Sequence, residues 1–277
     1  MTPPIQQMLY AQVPKEAAAS FIDVSNRSGD RGVWAGGYSP FDGTNLIDFV
    51  TIATTGDATD FGNLTQGNRA EPGSASNETR GIIFGGTAGP SPIVRTNTIT
   101  YVTIAQLGNG IDFGDMIGGL YQNPTGTASQ TRVVMGTGEG SPANFNSLEY
   151  ITISTLGNGA DFGDAITTGS YRTACGNAVR GIIAGGYAPS STNAIEFITI
   201  TTLGNGTDFG DLTSVRGGTT GMSSSTRAVF AGGRTPTEVN TIDYVQIPSA
   251  GNAIDFGDLL STVSNAGAVT NGHGGLG

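Results

Sequence analysis

Four Asp-x-x-Asp pairs are the residues whose spacing most invites a chemical role: Asp112 and Asp115, Asp161 and Asp164, Asp208 and Asp211, Asp255 and Asp258. Carboxylates placed this way suit calcium, which takes several carboxylate and carbonyl oxygens. Each pair here brackets a Phe-Gly step rather than lying in an Asx-rich loop. Neither an EF-hand loop nor the Gly-Gly-x-Gly-x-Asp calcium solenoid is present. The expectation is that these aspartates cap tight turns or pair with arginines, and no metal or cofactor is expected. Nucleophilic catalysis needs a base beside the nucleophile. The one histidine, His273, lies in Asn-Gly-His-Gly-Gly-Leu-Gly, a poor setting for a base. The one cysteine, Cys175, lies among small residues and reads as a buried packing group. Acidic residues outside any regular pattern are Asp42, Glu71, Glu78, Glu139 and Glu238, and nothing in the sequence brings them together.

What positions the aspartates is an internal repeat. An Arg-x-x-x-x-Gly-Gly element starts at Arg31, Arg80, Arg180 and Arg227, with a degenerate copy at Arg132. An Asp-Phe-Gly element follows each, centred on Phe61, Phe113, Phe162, Phe209 and Phe256. The arginines are spaced by 49, 52, 48 and 47 residues, a period that signals a solenoid, propeller or array. Asp-Phe-Gly is also the magnesium-binding triplet of protein kinases. Five copies without a Gly-rich phosphate loop or catalytic-loop motif exclude that reading.

The fourth repeat serves as the pattern. Arg180 to Gly186 is a short apolar run closed by paired glycines, a buried strand ending in a turn. Ile195 to Ile200 is rich in β-branched and aromatic residues and is apolar on both faces, so it must be covered twice. Leu203 to Gly206 contains Asn-Gly, which predicts a tight hairpin with positive φ at both central residues. Asp208 to Leu212 is then a short return strand, and Val215 to Ser225 a strand of small residues suited to a crowded axis. Four antiparallel strands in about 50 residues describe a propeller blade. The predicted fold is all-β: a five-bladed propeller with four antiparallel strands per blade and an N-terminal extension.

The strand order, with an acidic-aromatic pair in the third strand (Ile47-Asp-Phe49, Leu148-Glu-Tyr150, Ile195-Glu-Phe197, Ile242-Asp-Tyr244), resembles kelch repeats. Kelch repeats usually carry a Trp in the fourth strand. Here Phe of Asp-Phe-Gly stands there, and the only Trp, Trp34, lies in the second strand. Residues 261–272 resemble a small-residue first strand with no blade of their own, so they are expected to close the ring on the first blade. The rival filler of that slot is Ala19 to Ser25. The division is therefore an N-terminal arm, 1–30, and a propeller, 31–277. The arm is either poorly ordered, packed on the ring, or an attachment segment.

Charged residues make up 12% of the chain and the net charge is −10, with Lys15 the single lysine. That balance speaks against nucleic acid, whose phosphates require neutralisation, and against anionic membranes. No apolar stretch approaches the length of a membrane span, and residues 1–20 lack the basic and apolar regions of a secretion signal. The loops between second and third strands differ most, and carry Tyr38, Phe41, Arg95, Phe145, Tyr187 and Arg234, side-chain types that favour recognition. The LGNGxDFGDL and STRxxFAGG phrases, with the Asn-Gly-His-Gly-Gly-Leu ending, resemble kelch-like proteins of marine bacteriophages, particularly those of cyanobacteria. That resemblance spans residues 31 to 277. It implies a non-enzymatic, multi-copy component of the virion, such as a tail fibre, tail-associated or capsid-decorating protein. Its partners would be other virion proteins, met through residues 1–30 or one ring face, and a host-surface glycan or protein. The alternative is a propeller glycoside hydrolase or carbohydrate-binding protein, for which converging carboxylates in the central funnel would be the sign.

Overall fold

A hydrophobic residue on either face of a strand needs a neighbouring sheet, and the repeats supply one another. The computed structural model describes residues 31–39, 42–66, 69–88, 94–119, 122–140, 143–187 and 189–268. Every regular element among them is a β-strand. Blades two to five each have four antiparallel strands in sequence order from the axis outward. In the fourth blade these are Thr173–Gly176, Arg180–Ala184, Ala194–Thr199 and Thr207–Asp211. The first blade has three among the described residues: Arg31–Ala35, Leu46–Thr51 and Thr59–Asn63. The innermost strands, Gly73–Ser76, Thr125–Ala128, Thr173–Gly176 and Thr220–Ser223, are built of small residues and one methionine. They pack beside one another around the axis.

The core is four separate clusters, each shared by two successive blades. Ile47, Phe61 and Leu64 of the first blade meet Ile83 and Val102 of the second. Phe84, Ile99, Phe113 and Met116 meet Val133, Met135, Ile151 and Ile153 of the third. The pattern continues between the third and fourth blades, and between the fourth and fifth. A third strand apolar on both faces is thus covered on both.

The repeat arginine and the Asp-Phe-Gly phenylalanine belong to one stack. In the fourth blade the Arg180 guanidinium lies 4.6 Å from the Phe197 ring centre, and Phe197 meets Phe209 edge-on at 6.0 Å. The arginine reaches past the ring to donate to the next blade's backbone, Arg180 Nη1 to Ile247 O at 2.9 Å. Arg31 to Ile104 O (2.9 Å) and Arg132 to Ile200 O (2.8 Å) repeat this, as does Arg80 to Ile153 O. A guanidinium over an aromatic face is held by the ring quadrupole, and its planar donors remain free for a carbonyl. The expectation that the repeat aspartates pair with these arginines is therefore corrected. The described ion pairs contain none of the five. Turn capping holds at Asp255, whose carboxylate accepts from Gly257 N.

The predicted two-residue hairpin is also corrected. Seven residues, 200–206, connect third and fourth strands in the fourth blade. Of its central residues Gly204 alone has positive φ, at 150°. Its amides turn to the preceding blade: Gly204 N donates to Phe162 O and Gly206 N to Asp164 O, while Asn205 Oδ1 accepts from Asp164 N. The Asn-Gly pair serves an inter-blade ladder, and satisfying those groups across the interface outweighs closing a local turn. The opposing glycine of Asp-Phe-Gly is required there. A Cβ on Gly114, at φ 145°, would stand 2.5 Å from Gly157 O.

The expected closing strand takes no strand conformation within 261–268, and its remainder lies outside the described residues. The N-terminal arm, including Ala19 to Ser25, lies outside them too.

Removing the stack should cost stability in proportion to its parts. Arg180→Ala loses a charge-assisted hydrogen bond and a cation–π contact, together about 2–4 kcal/mol. Arg180→Lys should recover less than half, because ammonium lacks the planar fork. Urea denaturation measures both; equal midpoints for wild type and Arg180→Ala would contradict the assignment. Gly114→Ala should cost roughly 1–3 kcal/mol or more in the same assay, since backbone must move.

Candidate functional site

Antiparallel order sends the loops between second and third strands, and the connections from each fourth strand into the next blade, to one pole of the axis. The connections are fixed first. The acidic residue of the third strand receives the incoming chain: Glu149 accepts from Ile117 N at 2.7 Å and from Gly118 N at 2.5 Å. Glu196 accepts from Ile166 N, and Asp243 accepts from both Thr213 N (3.1 Å) and Thr213 Oγ1 (2.7 Å). Glu149, Glu196 and Asp243 are almost fully buried. Two of them are also paired with buried arginines, Arg172 with Glu196, and Arg216 with Asp243 at 2.8 Å. Burial drives the affinity of both guanidiniums for their proton down, and the facing carboxylate opposes this. The repeat acids are thus used up in holding the pole together. In the second blade the acid is replaced by Thr100, and the bond becomes a hydroxyl pair with Thr65 at 3.0 Å.

Each connection then passes through one left-handed residue beside the axis. These are Glu71 (φ 52°), Asn123 (52°), Tyr171 (55°), Gly218 (67°) and Asn265 (53°). Successive members are joined through the backbone: Asn123 N to Glu71 O, Gly218 N to Tyr171 O, and Asn265 N to Gly218 O. Left-handed Glu and Tyr are uncommon, and such outliers concentrate where structure over-determines them, often at functional sites. The side chains cluster as well. Glu71 Oε2 accepts from Gln122 Nε2 and, at 3.4 Å, from Asn123 Nδ2. The Tyr171 hydroxyl is hydrogen-bonded to Asn123. Its proton is held more tightly than usual, mainly through burial and then through the charges of Glu71 and Glu139; Arg234 opposes this. Asn123, Tyr171, Arg172, Thr219 and Asn265 line a cavity of about 110 Å³ at the mouth, where Thr219 Oγ1 is buried without a protein partner.

A second ring lies outside the first. The opening residue of each second-to-third-strand loop is tied by backbone bonds to the preceding connection. Glu139 exchanges two bonds with Gln122 (2.8 and 2.9 Å), Tyr187 with Ser170 (2.8 and 3.0 Å), and Arg234 with Gly217 (2.9 and 3.3 Å). Thr87 pairs likewise with Ala70. The backbone is pinned, so the side chain is free to vary: Thr87, Glu139, Tyr187 and Arg234 stand at equivalent positions. Tyr38 opens the corresponding loop of the first blade, paired with Gly43. Tyr187 is half exposed and Arg234 is exposed.

Of the six residues expected to mediate recognition, Tyr38, Tyr187 and Arg234 share this outer ring. Arg95 reaches it from the second blade through an ion pair, Nη2 to Glu139 Oε1 at 2.6 Å. Phe145 is half buried, packed against the core of the second and third blades. Phe41 lies outside the described residues. The pole also gathers Glu71 and Glu139, which the sequence left unconnected, around Tyr171. Glu71, Asn123, Tyr171, Gly218 and Asn265 are of four residue types, with asparagine twice, so no motif marks the inner ring. The signal available was the offset from the Asp-Phe-Gly phenylalanine, ten residues for Glu71 and Asn123 and nine for Tyr171, Gly218 and Asn265.

Cys175 is buried in the core of the fourth and fifth blades, and burial pushes its thiol up to about 12. It should stay inert to a thiol reagent at neutral pH until the chain unfolds, as read by absorbance during a urea titration. Truncating Asp243→Ala strands the buried Arg216 and should cost about 3–5 kcal/mol. A double variant, Asp243→Leu with Arg216→Met, should recover most of that loss in the same titration.

No protein-family model matches the chain, and no curated protein matches it. Among solved structures, the structure of YjhT superposes with a TM-score of 0.65 at 10% identity, covering 84% of this chain and 85% of that one. A likeness at that identity establishes the fold: the chain is a five-bladed β-propeller, similar in architecture to YjhT.

Proposed function

We propose that this protein is a non-enzymatic display scaffold of a bacteriophage particle, present in many copies and offering its loop pole to a host-surface glycan or protein, or to a neighbouring subunit. The observation that carries the reading is the outer ring. Glu139, Tyr187 and Arg234 are pinned by paired backbone bonds while their side chains differ in charge, size and aromaticity. A fixed frame with interchangeable side chains is how recognition surfaces diversify without disturbing their fold. The repeat phrases that resemble marine phage proteins support the particle setting. Residues 1–30, or the opposite pole, would face the particle. Acidic charge gives no attraction to nucleic acid or anionic lipid, so the contacts are protein and glycan contacts.

A second reading, a glycoside hydrolase or carbohydrate-binding protein, draws on the convergence of Glu71 and Glu139 near Tyr171. Each carboxylate is already held by donors of the protein: Glu71 by two amides, Glu139 by Arg95. That engagement favours a recognition role over hydrolysis.

The test is direct. Purified particles should contain the chain in many symmetry-related copies, and absence from particles overturns the virion reading. The purified chain should bind host cells, with Tyr187→Ala or Arg234→Ala weakening binding about 10- to 30-fold for a hot-spot residue. The hydrolase reading predicts instead that wild type releases reducing ends from host polysaccharide and that Glu71→Gln and Glu139→Gln abolish the release.

A further inference from the structure

One step beyond the left-handed ring, the blades stop being equivalent. Pro72, Pro124, Arg172 and Thr219 each stand one residue before an inner strand, at Gly73, Thr125, Thr173 and Thr220. All four line the same cavity of about 110 Å³, together with Asn123, Tyr171, Gly218 and Asn265 of the ring. The chain entering the second, third, fourth and fifth blades, and the chain leaving the fifth, thus converge on one small space.

The walls differ in what they leave unpaired. The two prolines bring no side-chain polar group. Arg172 is engaged: Nε donates to Gly185 O and Nη1 to Thr167 O, each at 3.1 Å, and the guanidinium is paired with Glu196. Thr219 is not. It is 7% exposed, and its Oγ1 has no hydrogen-bond partner among the described residues. A buried hydroxyl left unpaired is destabilising, and an apolar residue of the same shape would avoid that. Its presence where two counterparts are prolines fits a group whose partner arrives from outside the chain.

The ring beside Thr219 is open on one side and polar on the other. Gly218 is the one ring member without a side chain, and a Cβ on it would stand 2.7 Å from Asn265 Oδ1. The Asn265 carboxamide therefore reaches toward that gap. On the other side the Tyr171 hydroxyl is hydrogen-bonded to Asn123. Carboxamides and hydroxyls both donate and accept, as the hydroxyls of a sugar do. Pro72 and Pro124 add apolar surface suited to the C–H face of a sugar ring.

Size and charge narrow the ligand further. One water needs about 10–15 Å³, so the cavity has room for more than water. Pockets that enclose a drug-sized ligand hold about 300–1,000 Å³, so only the end of a larger molecule enters. Glu71 and Glu139 both tighten the hold of the Tyr171 hydroxyl on its proton, with Arg234 opposing them. Two carboxylates near the mouth repel an acidic sugar and leave a neutral one unaffected.

We infer that the mouth of the axis is a subsite for one terminal, neutral pyranose of a glycan, with Thr219 Oγ1, Tyr171 and the Asn123 and Asn265 carboxamides as its hydrogen-bonding groups. The choice of a glycan rests on the reading of this pole as a recognition surface. Tyr187 and Arg234, in the outer ring, then meet what lies beyond that sugar.

Methyl pyranosides of glucose, galactose, mannose and N-acetylglucosamine, with glucuronic acid as the charged control, test the subsite by saturation-transfer NMR on the full chain. At least one neutral pyranoside should bind with a Kd of about 1 mM, and glucuronic acid more weakly than it. Thr219→Val keeps the shape and removes the hydroxyl, so it should weaken binding about 5- to 10-fold without lowering the urea midpoint. A purely structural Thr219 would move the midpoint and not the affinity. Tyr171→Phe should weaken binding as well. No neutral pyranoside binding by wild type overturns the inference, as does affinity unchanged in both variants, or tighter binding of glucuronic acid. Host-cell binding that Arg234→Ala weakens, with no pyranoside bound, keeps the recognition pole and removes the subsite. Pyranoside binding that Thr219→Val weakens, in a chain that binds no host cell and is absent from particles, keeps the subsite and removes the display reading.

Discussion

A guanidinium lying on an aromatic ring and donating to the carbonyl of the next blade is the interaction on which this structure depends. Backbone hydrogen bonds hold each sheet together, but they stop at its edges, so something else must fix one sheet against the next. Apolar packing supplies attraction without direction. The arginine supplies direction, because its reach from Phe197 to Ile247 O, or from Tyr150 to Ile200 O, sets how far and at what angle blades meet. The glycine of Asp-Phe-Gly lets the backbones approach within the range where a methyl group would collide, and the Asn-Gly loop converts that closeness into hydrogen bonds. The second, third and fourth blades each contribute one half of each of two described interfaces, and cohesion is a sum over neighbours.

Regularity at the interfaces leaves the pole free to differ. Glu149, Glu196 and Asp243 each hold the connecting chain by accepting from its amides, and Thr213, Arg172 and Arg216 add side-chain bonds to them, so most of the residues carried by the connection are unconstrained in type by these acids. The same holds for the outer ring, where backbone pairs fix Glu139, Tyr187 and Arg234. Recognition chemistry therefore sits in residues that break the repeat, on positions that the repeat makes rigid. Two buried ion pairs add specificity of arrangement at that pole, at a desolvation cost that their geometry and additional hydrogen bonds must offset.

Strand order, the two-faced third strand and the small inner strand were legible because each is a local pattern of hydrophobicity and size. The partner of the repeat arginine was not, since a guanidinium has several acceptable neighbours and a carboxylate three residues from a phenylalanine looks the most obvious. The Asn-Gly loop misled for a related reason: its amides bond across an interface, and a sequence shows only what is near along the chain. Arg172 and Arg216 carried no signal at all, being single residues at different offsets that reach acids on the following blade's third strand. The gathering of Glu71, Glu139 and Tyr171 was invisible for the same reason, although Glu139 stands seven residues after its repeat arginine, as Tyr187 and Arg234 do after theirs, and Glu71 and Tyr171 follow their Asp-Phe-Gly phenylalanines by ten and nine.

If each interface is one copy of the same device, the glycine amides that bond across it are its most exacting probes. Amide hydrogen exchange by NMR should find Gly108, Gly157, Gly204 and Gly251 protected, and Arg180→Ala, which removes the guanidinium from the interface that Gly251 bonds across, should speed exchange at Gly251 while Gly108 stays protected. Unchanged protection of Gly251 in Arg180→Ala would contradict the claim that the arginine fixes one blade against the next.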